Sequence, residues 1–116
     1  SSGLKKYLTY KDIPASETDW VKFILSQPLD FQPGEKFEYN CVNSHVLIAV
    51  LEKILQSDVY DYLKKKVLLP LDFTDTKWSK DPSGRYIGGS DFYVRPADLL
   101  AIVRLYMNGG IYNDQR

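Results

Sequence analysis

The sequence predicts a mainly α protein: a small four-helix domain with one or two short β strands. Three observations predict it. Four stretches repeat apolar residues at helical spacing. Proline and glycine stand at the ends of those stretches rather than inside them. The length, 116 residues, suits one domain with a core of its own. The composition agrees, with 44% hydrophobic and 26% charged residues.

The first helix is expected over about residues 17–27. Ser16 is a candidate N-cap, with Glu17 and Asp19 in the first turn, where negative charge suits the helix dipole. Trp20, Phe23 and Ile24 then share a face, and Pro28 stops the helix. Residues 29–38 read as a loop with its tightest point at Pro33-Gly34, and Phe31 and Phe37 are expected to tuck inward. Leu47, Val50, Leu51 and Ile54 carry the clearest stripe, a helix over about 43–56. Ser57 is the next cap candidate. Val59, Tyr62, Leu63 and Val67 continue one face until Pro70, with Lys64-Lys65-Lys66 as a solvated end. Residues 71–84 read as irregular, with Asp81-Pro82-Ser83-Gly84 as a turn between Trp78 and Tyr86. A short strand is expected at Asp91–Val94, after Gly88-Gly89. Pro96 fits the first position of the last helix, which Asn108-Gly109-Gly110 ends.

Several function classes are excluded. Fifteen basic and fifteen acidic residues cancel, so no nucleic-acid-binding face is implied. No apolar run approaches the ~20 residues that span a bilayer. One cysteine, Cys41, rules out an internal disulfide, and with the single His45 it rules out the usual zinc ligand sets. No metal or cofactor is expected. Residues 1–116 are read as one domain cut from a larger protein: Ser1-Ser2-Gly3 looks like an expression scar or loop interior, and Ile111–Arg116 like the start of a strand or turn that does not finish. No signal peptide is visible, and the compartment stays open.

The order of motifs says more than any one of them. Pro33-Gly34-Glu35-Lys36-Phe37-Glu38-Tyr39-Asn40 leads into a helix ending Leu51-Glu52-Lys53-Ile54. Tyr62-Leu63, Leu69-Pro70-Leu71 and Thr74-Asp75-Thr76 follow. Then come Gly88-Gly89, Arg95-Pro96-Ala97-Asp98-Leu99 and Asn108-Gly109-Gly110. This string resembles the all-α domain of serine hydrolases related to β-lactamases and penicillin-binding proteins, in the branch of class C β-lactamases, esterases and D,D-peptidases. The likeness runs from about Trp20 to Tyr112. Each piece is weak alone; the order and spacing are specific.

The resemblance implies three catalytic motifs: Ser-x-x-Lys with the nucleophile, Tyr-x-Asn or Tyr-x-Ser, and a Lys-Thr-Gly or His-x-Gly strand. Tyr39-Asn40-Cys41 falls where the second belongs, so the resemblance makes Tyr39 the candidate proton shuttle, with Asn40, Cys41 and Asn43 in support. A free tyrosine titrates near ~10 and needs a neighbouring cation to act as a base near neutrality. In this chain by itself, Tyr39 reads as a buried or half-buried anchor of a helix start. Cys41 departs from the pattern, because a thiol is a weak donor where asparagine or serine is a good one. It reads as a buried, small apolar cysteine, with Asn43 as a substitute polar partner. Ser2-Gly3-Leu4-Lys5 matches Ser-x-x-Lys formally, but glycine disfavours the helical turn that motif needs. His45 reads as a core histidine. No Lys-Thr-Gly, Lys-Ser-Gly or His-x-Gly occurs.

By resemblance the parent is a bacterial hydrolase that cleaves an ester or amide through an acyl-serine, and the chain alone is inactive. Its partners are a nucleophile-bearing α/β domain of the same parent and a small-molecule or peptide substrate. An apolar patch is expected around Tyr39 and Phe92-Tyr93. Two other readings stay open: a non-catalytic peptidoglycan sensor on the same fold, and an independent helical interaction module.

Overall fold

A computed structural model describes residues 2–5 and 8–113. Ser1 and residues 114–116, parts of the terminal segments discussed above, lie outside the described residues. The protein is mainly α. Among the described residues, a 3₁₀ turn (Tyr10–Asp12) precedes α1 (Trp20–Ser26), α2 (Val42–Leu55), α3 (Val59–Leu63) and α4 (Pro96–Met107). Two short strands, β1 (Lys77–Trp78) and β2 (Phe92–Tyr93), pair antiparallel before α4, with Lys77 opposite Tyr93 and Trp78 opposite Phe92.

Three boundaries differ from expectation. The first helix is capped by Asp19, not Ser16: its carboxylate accepts the Lys22 N–H at 3.0 Å. Glu17 bends back to accept the Asp19 N–H at 2.9 Å, so the chain before Trp20 is a turn. Asp58, not Ser57, caps α3 by accepting the Asp61 N–H at 3.0 Å. The lysine run is not a simple helix end. Lys64–Leu68 forms a π turn, with the Leu69 N–H donating to the Lys64 carbonyl at 2.9 Å, and the wider turn carries Leu68 into the core. β1 lies in the stretch read as irregular. Its two residues are ordered across the sheet by Trp78, whose ring stacks on Tyr86 at 5.1 Å and whose Nε1–H donates to the Ile87 carbonyl at 2.8 Å. The turn at 81–84, the strand at 92–93 and the stop at Asn108-Gly109-Gly110 stand where the sequence puts them.

The apolar side chains gather in two clusters. Leu4, Leu8, Ile13, Ile24 and Val42 form one. Ile48, Val59, Tyr60, Leu68, Leu71, Phe73 and Tyr86 form the other. α2 enters both, through Val42 at its start and Ile48 in its middle. Burying a side chain such as Ile24 contributes about 1.5–3 kcal/mol.

Between the clusters sits His45, with no exposed surface. The Gly88 N–H donates to its Nδ1 at 3.3 Å, so Nε2 carries the proton and donates to the Asp81 carboxylate at 3.0 Å. The other Asp81 oxygen accepts from the Ser83 hydroxyl at 2.7 Å and the Arg85 N–H at 2.9 Å. Burial pushes the Asp81 carboxyl up, but Ser83, Arg85 and His45 outweigh it and hold it below the usual carboxylate value. Gly88 and Gly89 then run against the first turn of α2. A Cβ on Gly88 would collide with the Ser44 carbonyl, and one on Gly89 with the Cys41 carbonyl.

Two predictions follow from this packing. Gly88→Ala is expected to cost about 1–3 kcal/mol by overpacking, whereas Ser83→Ala keeps the backbone path and costs about 0.5–1.5 kcal/mol for one hydrogen bond. Urea titrations compare the two. The Asp81 carboxyl is depressed on folding, so its contribution is complete above the unfolded carboxyl value near ~3.9 and is lost as pH falls through the lower folded value. Acid unfolding monitored by circular dichroism should therefore steepen below about pH 4, and Asp81→Asn should flatten that limb.

Candidate functional site

The loop before α2 presents Tyr39 by an alternation of inward and outward side chains. Phe37 is 85% exposed and Tyr39 is 76% exposed, while Asn40 between loop and helix is buried. Phe37 therefore does not tuck inward, Phe31 is half-buried, and Tyr39 is not the buried or half-buried anchor that the chain by itself suggests. Asn40 supplies the reason. Its Nδ2 donates to the Lys5 carbonyl at 3.0 Å, and its Oδ1 accepts the Val42 N–H at 3.0 Å. An inward asparagine at position 40 turns its extended neighbour at 39 toward solvent. Asn40 thus works as the peg that fixes the start of α2, satisfying a helix N–H that would otherwise lack a partner.

The other expected site residues separate. Cys41 is half-buried rather than fully buried, because its position is the first corner of the helix, and its carbonyl accepts a hydrogen bond from the Tyr10 hydroxyl at 3.3 Å. Asn43 lies elsewhere. It lines an apolar groove of about 410 Å³ with Leu25, Leu29, Val46 and Leu47, and no hydrogen bond joins it to Tyr39 among the described residues. Ser2 and Lys5 do not form a helical nucleophile motif: Gly3 adopts φ +77°, and Leu4 bridges to Leu29 as extended backbone. Among the described residues, no group of three or more His, Cys, Asp or Glu could hold a metal ion.

What the sequence did not reveal is the support under Tyr39. Tyr10 accepts the Gly89 N–H at 2.9 Å while donating to Cys41. Burial raises the Tyr10 phenol to about 12, with Cys41, Asp91 and Tyr39 adding to the rise and the Gly89 N–H opposing it. It stays a protonated donor at any physiological pH. Tyr10 also stacks on Trp20 at 5.4 Å and meets the His45 ring edge-on at 5.9 Å. The Gly88–Asp91 segment is thereby held beside the start of α2. On its other side it borders an open groove of about 330 Å³ with Leu63, Trp78 and Phe92. A tyrosine at position 10 and a histidine at 45, far apart in sequence, gave no spacing signal by which to find this.

The arrangement separates the exposed Tyr39 from the bonded residues beneath it, and stability measurements can read the separation. Tyr39→Phe should leave the midpoint of urea unfolding within about 0.5 kcal/mol, as for surface changes generally. Asn40→Ala should cost about 1–2 kcal/mol, because it frees two buried partners. Comparison with curated proteins finds no match to the chain. A family model described as Beta-lactamase matches residues 1–110, every helix and strand described above included. The chain belongs to the beta-lactamase family.

Proposed function

We propose that residues 1–116 are the helical domain of a serine hydrolase and that Tyr39 is its proton-transfer residue. The observation that carries this reading is the placing of Tyr39: an outward phenol on a fixed, fully bonded base at the head of α2, beside the Gly88–Asp91 segment. In the reaction, a serine Oγ attacks the carbonyl carbon of an ester or amide. Tyr39, as phenolate beside a lysine ammonium, takes the serine proton. Backbone N–H groups hold the developing oxyanion, and the proton passes to the leaving group as the acyl-serine forms. Water then releases the acyl group by the reverse route.

The serine, the lysine and the oxyanion donors belong to an α/β domain of the parent. Two features support such a partner. The accessible surface is 8166 Å², against about 6,500 Å² for a compact monomer of this mass. The radius of gyration is 16.2 Å, where a compact domain of about 100 residues has about 13 Å. Leu47, Val50 and Ile54 of α2 and Leu99, Val103 and Tyr106 of α4 stand exposed, as does Tyr93 near the site. No helix among the described residues is long and apolar enough to cross a membrane.

A second reading has one observation in its favour. Cys41 puts a weak donor where the resemblance has asparagine or serine, which suits a non-catalytic peptidoglycan-binding protein on the same fold. Labelling decides between them. The full-length natural protein, treated with a fluorescent phosphonate, should label on a serine outside residues 1–116. Tyr39→Phe should slow that labelling by about 10²–10⁴, the usual size of a general-base contribution. A label within residues 1–116 overturns the proposal, and no label at all favours the binder.

A further inference from the structure

The proton transfer assigned to Tyr39 makes no use of His45 or Tyr10, yet both hold the same piece of backbone. Gly88 N–H is bound to His45 Nδ1, and Gly89 N–H to the Tyr10 hydroxyl. Neither position has room for a Cβ, because Gly88 lies against the Ser44 carbonyl of α2 and Gly89 against the Cys41 carbonyl just before it. We propose that His45 and Tyr10 are positioning residues for the acyl-transfer site: together they clamp Gly88-Gly89 onto the first turn of α2 beside Tyr39, and His45 opens its half of the clamp when its ring is protonated. The inference rests on reading the Tyr39 end of the chain as the substrate wall.

The proton bookkeeping is set by the ring's two partners. In the neutral ring, Nε2–H donates to Asp81 and the Nδ1 lone pair accepts from Gly88. A proton added to the ring must go to Nδ1, the only free lone pair. Two N–H groups then face each other, and the Gly88 bond is lost. The imidazolium keeps its bond to Asp81, so the ring stays in place while the loop is released.

The charged and titratable surroundings are few. Asp81 faces Nε2 from the turn, with Ser83 and the Arg85 N–H on its other oxygen. The Arg85 guanidinium is turned onto Glu52 of α2 at 2.8 Å. The Tyr10 ring packs on His45 from the 3₁₀ turn and the Trp20 ring from α1 at 5.8 Å. Cys41, Asp91 and Tyr39 lie close enough to act on Tyr10. Tyr10, protonated throughout, keeps its hold on Gly89.

The test is an NMR titration of the 116-residue chain, following the His45 ring nitrogens and the Gly88 and Gly89 amides. In the neutral ring Nδ1 should be the bare nitrogen. On acidification the Gly88 amide should shift with the midpoint of the ring. Its protection from hydrogen exchange should fall about five- to tenfold, as loss of one hydrogen bond allows, while Gly89 holds. A ring with the proton on Nδ1, a ring that stays neutral until the chain unfolds, or a Gly88 amide that ignores the ring's midpoint overturns the clamp. In the full-length protein, phosphonate labelling should fall along the same midpoint, and His45→Asn should flatten that limb. Its side-chain oxygen can accept from Gly88 without titrating. Labelling that ignores the midpoint overturns the positioning role. Absence of labelling at every pH instead removes the catalytic reading, and the amide titration then reports on the clamp alone.

Discussion

A buried histidine must find a partner for each ring nitrogen, and in this fold both partners come from one stretch of chain. His45 points out of α2 into the space between two apolar clusters, with no exposed surface. Asp81 takes one nitrogen and Gly88 the other. The six residues between them must therefore turn back sharply, which the Asp81–Arg85 hydrogen bonds accomplish. An unpaired polar group at this depth would cost on the order of 1–3 kcal/mol. That cost is what keeps the turn, the following glycines and α2 in one register.

The same constraint explains the two glycines. Once Gly88 must reach Nδ1, the backbone passes so near the Ser44 and Cys41 carbonyls that no Cβ fits. Tyr10 then finds both a donor and an acceptor within reach of one hydroxyl, Gly89 on one side and Cys41 on the other. The N-terminal segment is tied in by these bonds and by Asn40, whose amide reaches the Lys5 carbonyl. The head of α2 is thus fixed from three directions by groups that are all fully bonded. Tyr39 is the neighbour left outside this network.

The fold was legible where periodicity and punctuation act alone. The apolar stripe from Leu47 to Ile54, Pro96 at the first turn of α4 and the glycines after Asn108 each carry a local cause, and each element stands where that cause puts it. The misses have a common origin in side chains that answer to distant partners. Ser16 and Asp19 compete for the same helix start, and only the hydrogen bonds of Glu17 and Asp19 decide that Asp19 wins. Phe37 looks like core by composition, yet Asn40 sets the loop's orientation and leaves Phe37 in solvent. Around the candidate site, the Tyr39-Asn40-Cys41 string carries a family resemblance, whereas the His45–Asp81 and Tyr10–Gly89 pairs could not be read. Neither pair has a sequence spacing that a helix or strand would repeat.

Exposure gives Tyr39 reach and denies it chemistry. A phenol in water, without a cation beside it, holds its proton near neutrality and can remove none from a serine. In the proposed hydrolase, a lysine brought by another domain would change both terms at once. Its charge favours the phenolate, and the domain that carries it excludes the water that would screen the pair. The rigid base then matters because a proton passes only over hydrogen-bond distances. A mobile loop would sample that geometry rarely, whereas Asn40, Tyr10 and His45 hold the loop's end before any partner arrives. The helical domain on this view contributes position, and the activating charge comes from outside it.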